Sequence, residues 1–170
     1  MGTGAQYGPV DRILLDYHVP EERELNLAWM DTLQRGHAET AALLLERTDA
    51  VVDPGMVRKA IESGSLPLLT VLLDHGADDS YMHGYNDEGW GVLSLAIHVK
   101  DLEMARVLLQ RGVDIDSPNK DCSTALHWAV NESNIPATKF LLDRGARVSA
   151  TNEDGKTPLR FAISNLFEVT

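Results

Sequence analysis

The amino-acid sequence repeats itself with a period of 33 residues, and this period constrains the fold more than any other feature. Three stretches align without gaps at this spacing: Asn86–Ala96, Asn119–Ala129 and Asn152–Ala162. A fixed period of this length is typical of proteins in which each repeat folds as one small unit and stacks on its neighbours. The period therefore predicts an array of stacked units.

A second series of matching segments accompanies the first. Leu72–Asp78, Leu108–Asp114 and Leu141–Arg147 each place a glycine three residues after a pair of leucines. The last two segments lie 33 residues apart, whereas the first two lie 36 apart. Because the segments on either side keep their spacing, the three extra residues fall in the loop at 79–88.

Some of these stretches contain a known motif. Thr124–Ala129 and Thr157–Ala162 resemble the T-P-L-H-x-A motif of ankyrin repeats, and Leu141–Ala146 resembles their L-L-x-x-G-A ending. Gly36–Arg47 resembles the second half of a further repeat. The resemblance covers about residues 25–170. It implies an all-α fold, an ankyrin-repeat solenoid of stacked helix–turn–helix units with β-hairpin or loop fingers.

The motifs divide the chain into an N-terminal segment and a series of repeat units. The segment 1–24 is expected to cap the first unit, with a helix across Asp11–His18. The units are expected at about 25–52, 53–84, 85–117 and 118–150, with a partial unit at 151–170. Because the last unit stops at the opening of its second helix, we expect either a piece of a longer array or a last helix that packs without a partner.

The motif residues also predict where helices begin and end. Thr124 and Thr157 suit a helix start, because a threonine hydroxyl can accept from a free backbone N–H. Gly112 and Gly145 suit a helix end, where a left-handed backbone favours glycine. Gly91–Ser94 lacks the threonine and proline of the motif, so we expect this helix start to be less well capped.

Charge and cysteine content narrow the range of partners. The chain of 170 residues has a formal net charge of −11. Nucleic acids and anionic membrane surfaces require clusters of lysine and arginine, so neither is an expected partner. We expect instead a monomer that binds a protein with a basic patch. The single cysteine, Cys122, and the lack of a signal-peptide pattern favour the cytoplasm, or the nucleus, as its compartment.

Partners of ankyrin proteins usually lie against the fingers and the exposed face of the first helices, so the resemblance implies a set of contact residues. By register and by position in the longer loop these are Tyr81, Tyr85, Asp87, Glu88, Trp90, His98, Lys120, Asp121, Ser123, Asn131, Glu132, Glu153, Asp154 and Lys156. Residues 60–99 contain acidic side chains and no lysine or arginine. With the aromatics beside them, they make the loop at 78–90 the first candidate contact region.

Two readings of Trp90 are compatible with the sequence. Tryptophan is enriched among interface anchors, and the register places Trp90 at a solvent-facing position. In the other reading, the longer loop folds back and buries Trp90 with Tyr81 and Tyr85. Trp128 holds the variable place of the motif on the first helix, where we expect it mainly to pack against the array; the alternative is that it also contacts the partner.

No arrangement of residues predicts catalysis or a bound cofactor. Asp121, Cys122 and His127 could serve as acid, nucleophile and base, but His127 is the histidine of the ankyrin motif, which steadies the turn by hydrogen bonding. Gly155–Thr157 imitates the end of a phosphate-binding loop, but Ala150 stands where that loop needs a glycine. The six histidines lack ligand spacing, so we expect no metal ion and no cofactor.

The sequence therefore predicts a scaffold for protein–protein interaction and not an enzyme. One alternative is an ankyrin-repeat enzyme or enzyme-accessory protein, which would require a deep pocket or a convergent pair of carboxylates. Another is a pathogen effector that mimics host ankyrin scaffolds and uses the same surface.

Overall fold

The structure, a computed structural model, describes residues 22–77 and 89–168. The helix expected across 11–18 and the longer loop at 79–88 lie outside these residues. Within the described residues the chain forms nine helices and no strand. The helices are α1 (Glu22–Arg35), α2 (Ala38–Arg47), α3 (Pro54–Glu62), α4 (Leu66–Asp74), α5 (Val92–His98), α6 (Leu102–Gln110), α7 (Ala125–Asn131), α8 (Ile135–Leu142) and α9 (Pro158–Glu168).

The helices pair in chain order, and the pairs stack. Helix α1 packs on α2, α3 on α4, α5 on α6 and α7 on α8. The first helices of successive pairs pack on one another from α1 through α3, α5 and α7 to α9, and the second helices α2, α4 and α6 do the same. This arrangement confirms the predicted all-α solenoid. The described connections between pairs are loops and turns, so the β-hairpin form of the fingers is not confirmed.

The core runs between the stacked helices and is mostly aliphatic. Leu93 and Leu126 are buried on the first helices, and burial of a leucine contributes about 1.5–3 kcal/mol to folding. Ala96 and Ala129, the alanines of the motif, have no solvent exposure, so their small side chains allow the neighbouring helices to approach. Trp29 on α1 is also buried, which places it in the core of the first unit.

Left-handed backbone recurs at three places in the unit. Among the described residues it occurs between the paired helices at Gly36, Gly64, Lys100 and Ser133, after the second helix at Gly76, Gly112 and Gly145, and in the finger at Gly89, Cys122 and Gly155. Gly112 and Gly145, with φ of 94° and 85°, confirm the predicted helix ends. Lys100, Cys122 and Ser133 adopt the same backbone with a side chain, which costs about 1–2 kcal/mol at each position.

The helix starts follow the motif where its residues are present. The backbone N–H of Thr124 donates to Nδ1 of His127 over 3.1 Å at the start of α7. Helix α5 begins after Gly91 without a side-chain cap, as expected. The N–H of Gly91 donates instead to Oδ1 of Asn119, 2.8 Å away in the next unit. The weakest helix start in the motif series is therefore held from the neighbouring finger.

Candidate functional site

A row of aromatic side chains crosses three units on the side formed by the fingers and first helices. Trp90 precedes α5, Trp128 lies on α7 and Phe161 lies on α9. The rings of Trp90 and Trp128 have centroids 4.1 Å apart and are tilted by 40°, and Trp128 meets Phe161 edge-on at 5.9 Å. All three side chains are partly exposed. We call these three residues the aromatic row.

The row forms because the repeat places equivalent residues on stacked helices. Trp128 and Phe161 occupy the same place in the motif, 33 residues apart, so the stacking of α7 on α9 brings their rings together. Trp90 comes from a finger and lies over the adjacent first helices. Aromatic pairs in such geometry contribute about 0.5–1.5 kcal/mol beyond the area they bury.

A histidine and a glutamate extend the row at one end. The ring of His98, at the end of α5, lies 4.7 Å from that of Trp90. Its Nδ1 is 2.8 Å from Oε1 of Glu132, which follows α7, so this contact joins two successive units. The His98 side chain remains 50% exposed, which leaves it accessible to a partner.

An open groove of about 370 Å³ lies between the aromatic row and the tips of the fingers. Its lining is formed by Gly89, Trp90, Asn119, Lys120, Asp121, Trp128 and Glu153. Backbone hydrogen bonds join the three fingers beneath it: Lys120 N–H donates to the Gly89 carbonyl over 3.0 Å, and Glu153 N–H donates to the Asp121 carbonyl over 2.9 Å. The positions of the lining residues are therefore fixed by main-chain contacts between units.

The charged residues of the groove include two carboxylates and one ammonium group. The Asp121 carboxylate is oriented by Ser123, whose N–H and hydroxyl lie 3.1 Å and 3.0 Å from its two oxygens. Glu153 and Lys120 are exposed on neighbouring fingers. Together the three charged side chains among the described lining residues have a net charge of −1, which agrees in sign with the chain as a whole.

The structure brings together six of the residues that the sequence predicts as contacts. These are Trp90, His98, Lys120, Asp121, Glu132 and Glu153. Asp154 and Lys156 pair with each other at 3.8 Å on the last finger, and Asn131 is partly exposed at the end of α7. Ser123 has no solvent exposure and serves to orient Asp121. Tyr81, Tyr85, Asp87 and Glu88 lie outside the described residues, so the reading in which Tyr81 and Tyr85 bury Trp90 stays a prediction.

Two members of the aromatic row were not among the nominated residues. For Trp128 the sequence favours packing against the array, and it assigns no contact role to Phe161. The available signal was their shared register, since two aromatics spaced by one full repeat on first helices must face the same side of a solenoid. The Nε1 of Trp128 is buried and has no hydrogen-bond partner among the described residues.

The imagined catalytic arrangement does not form in the described residues. Nδ1 of His127 accepts from the N–H of Thr124, so the ring proton is on Nε2, which donates to the Lys156 carbonyl over 3.0 Å. His127 is fully buried, and both of its nitrogens serve the turn, as the motif predicts. Asp121 is bonded to Ser123. Cys122 is exposed.

The turn that imitates a phosphate-binding loop is also occupied by its own contacts. Oδ1 of Asn152 accepts from the N–H groups of Asp154 and Lys156, at 3.1 Å and 2.9 Å. These donors are the ones that a phosphate group would need. Across residues 22–77 and 89–168, no group of three or more metal-binding side chains comes together. No helix in the same residues is long and apolar enough to cross a membrane.

A second groove, of about 440 Å³, lies at the other end of the array. It is lined mainly by Met30 and Leu33 of α1 and by Lys59 and Glu62 of α3. It is the larger of the two grooves, but none of the described residues that line it is aromatic. The groove beside the aromatic row has the tryptophans and the oriented carboxylate, and it is the better candidate for a binding site.

Stacked helix pairs joined by finger loops define a solenoid repeat protein, a class whose members bind along an extended face. Residues 93–169 match the family model for ankyrin repeats, in three copies. The matched range is therefore similar to ankyrin repeats, and it makes up a little less than half of the chain. No curated protein matches the chain. The groove and the aromatic row lie within or directly beside the matched residues, in the part of the array where the motif is most regular.

Proposed function

We propose that this protein is a scaffold for protein–protein interaction, which binds a partner through its concave face and finger loops and catalyses no reaction. Ankyrin repeats are generally protein–protein interaction modules, and the family match therefore supports a binding role. The observation that carries the proposal is the aromatic row, with its adjacent groove, on the side formed by the fingers and first helices.

The chemistry of this surface favours a macromolecular partner. Tryptophan is among the residues that most often dominate binding energy, and Trp90 and Trp128 present two partly exposed indoles that are stacked on each other. Main-chain hydrogen bonds already fix the fingers, so little order remains to be imposed when a partner binds. A rigid, partly apolar and partly charged face is typical of a recognition surface.

The charge of the chain favours a partner with a basic patch. A net charge of −11 attracts a cationic surface and accelerates the encounter with it. We propose that the protein acts as a monomer in the cytoplasm or the nucleus. Because exposed charges are screened within a Debye length of about 8 Å at physiological salt, association should slow as salt is added.

Affinity capture with the intact chain tests the proposal, followed by titration of the purified captured protein. Glu153→Lys reverses a charge at the groove without disturbing the core, and Glu46→Lys makes the same change at an exposed site on α2. We expect Glu153→Lys to weaken binding at least tenfold, about 1.4 kcal/mol, and Glu46→Lys to leave it within twofold. Equal loss in both variants would point to net charge alone.

Trp90→Ala provides the complementary test of the aromatic row. Because Trp90 stacks on Trp128 and His98, its thermal unfolding must be measured beside its affinity. A folded Trp90→Ala variant that binds the captured protein as well as the original chain would contradict the proposal.

A further inference from the structure

We propose that the groove beside the aromatic row receives an arginine side chain of the partner. This inference rests on the proposed protein-binding function and specifies the chemistry of its contact. It commits the groove to one occupant, a guanidinium group that is stacked on indole and paired with carboxylate.

Two indole rings beside the groove favour a cationic ligand. Trp90 and Trp128 both line the groove, and their rings are stacked with centroids 4.1 Å apart, so they border the groove as one aromatic stack. The face of an indole carries negative electrostatic potential, and tryptophan is the best aromatic partner for a cation. A guanidinium is flat and weakly hydrated, which lets it stack on such a face with little loss of solvation.

Two carboxylates in the same groove also favour a cationic ligand. Asp121 and Glu153 line the same groove from successive fingers, which are joined by the hydrogen bond from Glu153 N–H to the Asp121 carbonyl. Asp121 is held in place by the N–H and hydroxyl of Ser123, and a carboxylate oxygen with one such bond keeps capacity to accept another. Charge-assisted hydrogen bonds from a guanidinium to carboxylates are among the strongest polar contacts in proteins.

The size of the groove favours a single side chain. Its volume of about 370 Å³ is at the lower end of the range for small-ligand sites, too small for a whole helix or a folded loop. The same array also stacks arginine on an aromatic ring elsewhere, since the guanidinium carbon of Arg144 lies 3.8 Å from the ring centroid of Phe140. The proposed contact reproduces that geometry between two proteins, with carboxylates added.

The positive charge of Lys120 provides a test of the proposal, because it predicts the direction in which a substitution changes the affinity. Its ammonium group is the one cation among the described residues that line the groove, and it opposes the entry of a second cation. Removing the charge of Lys120 should therefore strengthen the binding of an arginine. Removing the charge of Glu153 should weaken it. A groove that binds by apolar contact alone would show neither effect.

The experiment uses the three tryptophans as separate probes in a ¹H–¹⁵N NMR titration of the full chain. The ligand is a capped Gly-Arg-Gly tripeptide, compared with tripeptides that carry citrulline, the neutral isostere, or lysine. We expect saturable shifts of the Trp90 and Trp128 indole signals, while Trp29, buried in the first unit, stays unmoved. We expect citrulline and lysine to bind at least about threefold more weakly than arginine.

Matched variants complete the test. Glu153→Gln should weaken the arginine tripeptide several-fold, Lys120→Ala should strengthen it, and Glu46→Gln on α2 should leave it unchanged. Equal shifts with citrulline, equal or tighter binding of lysine, or no saturable shift at Trp90 and Trp128 would each overturn the arginine assignment. If a captured partner still depends on Glu153 while the arginine tripeptide gives no shift, the scaffold function stands and only this inference fails.

Discussion

Two glycines at equivalent turns provide a sharp test of how the units are joined. Gly36 lies between α1 and α2 and Gly64 between α3 and α4, and both are left-handed, with φ of 72° and 69°. A Cβ atom added to Gly36 would lie 2.6 Å from Cβ of Ser65 in the next unit. A Cβ atom added to Gly64 would meet nothing within 4 Å. Substitution by alanine therefore adds backbone strain at both positions but a steric clash at only one.

The structure allows the two costs to be separated. For Gly64→Ala, a left-handed penalty of about 1–2 kcal/mol is partly offset by about 0.4–1 kcal/mol from the stiffer unfolded chain, which leaves about 1 kcal/mol. For Gly36→Ala, crowding against Ser65 adds about 1–3 kcal/mol. Any shift of Ser65 also strains its bond to the Gly36 carbonyl, 2.8 Å, and its bond from Leu68 N–H, 3.3 Å. The total for Gly36→Ala is about 2–4 kcal/mol.

Urea unfolding followed by circular dichroism measures both free energies of unfolding, with Gly64→Ala as the matched control. We expect Gly36→Ala to be less stable than Gly64→Ala by at least about 1 kcal/mol. Equal destabilisation of the two variants would refute the reasoning, because it would show that the contact between Gly36 and Ser65 does not constrain the junction of the first two units.

Three further substitutions test the backbone and the core. Gly145→Ala, at φ 85° with open space around the added Cβ, should lower the free energy of unfolding by about 1 kcal/mol, and an unchanged melting temperature would argue against the left-handed helix end. Cys122→Gly should raise the free energy of unfolding by about 0.5 kcal/mol under reducing conditions, because glycine adopts a left-handed backbone at lower cost. Gly89 and Gly155 occupy the equivalent finger position with the same sign of φ. Ser94→Ala should raise the free energy of unfolding by about 1 kcal/mol, since the buried Ser94 hydroxyl has no hydrogen-bond partner in the described residues. A lower melting temperature of the variant would show that the hydroxyl does have a partner.

The periodic pattern predicts much of this fold because each repeated residue determines one local feature, such as a buried helix face or a helix end. Leucine and alanine at fixed places predict which face of a helix is buried, and Leu126 and Ala129 are buried as expected. Glycine after paired leucines predicts a left-handed helix end, as found at Gly112 and Gly145. These rules act within a few residues of the chain, so a single sequence is enough to apply them.

Features that depend on contacts between units are not predictable in the same way. Lys100 and Ser133 adopt a left-handed backbone in a turn where no glycine marks it in the sequence. The stacking of the helices on either side of the turn outweighs the local cost of about 1–2 kcal/mol. The bond from Gly91 to Asn119 Oδ1 replaces a missing helix cap across 28 positions of the chain. In the candidate site, four of the predicted finger residues line the groove, namely Trp90, Lys120, Asp121 and Glu153, but the aromatic stack depends on how Trp128 meets Trp90.

The candidate site is distributed over three units, and this links binding to the integrity of the array. Trp90, Trp128 and Phe161 each belong to a different unit, and the fingers of these units are joined by main-chain hydrogen bonds. In a solenoid, each unit contacts only its neighbours, so the end of an array can open without the rest. A partner that holds Trp128 and Glu153 together binds only when the units of α7 and α9 are stacked. By linkage, its binding must therefore stabilise the stacking of α9 on α7.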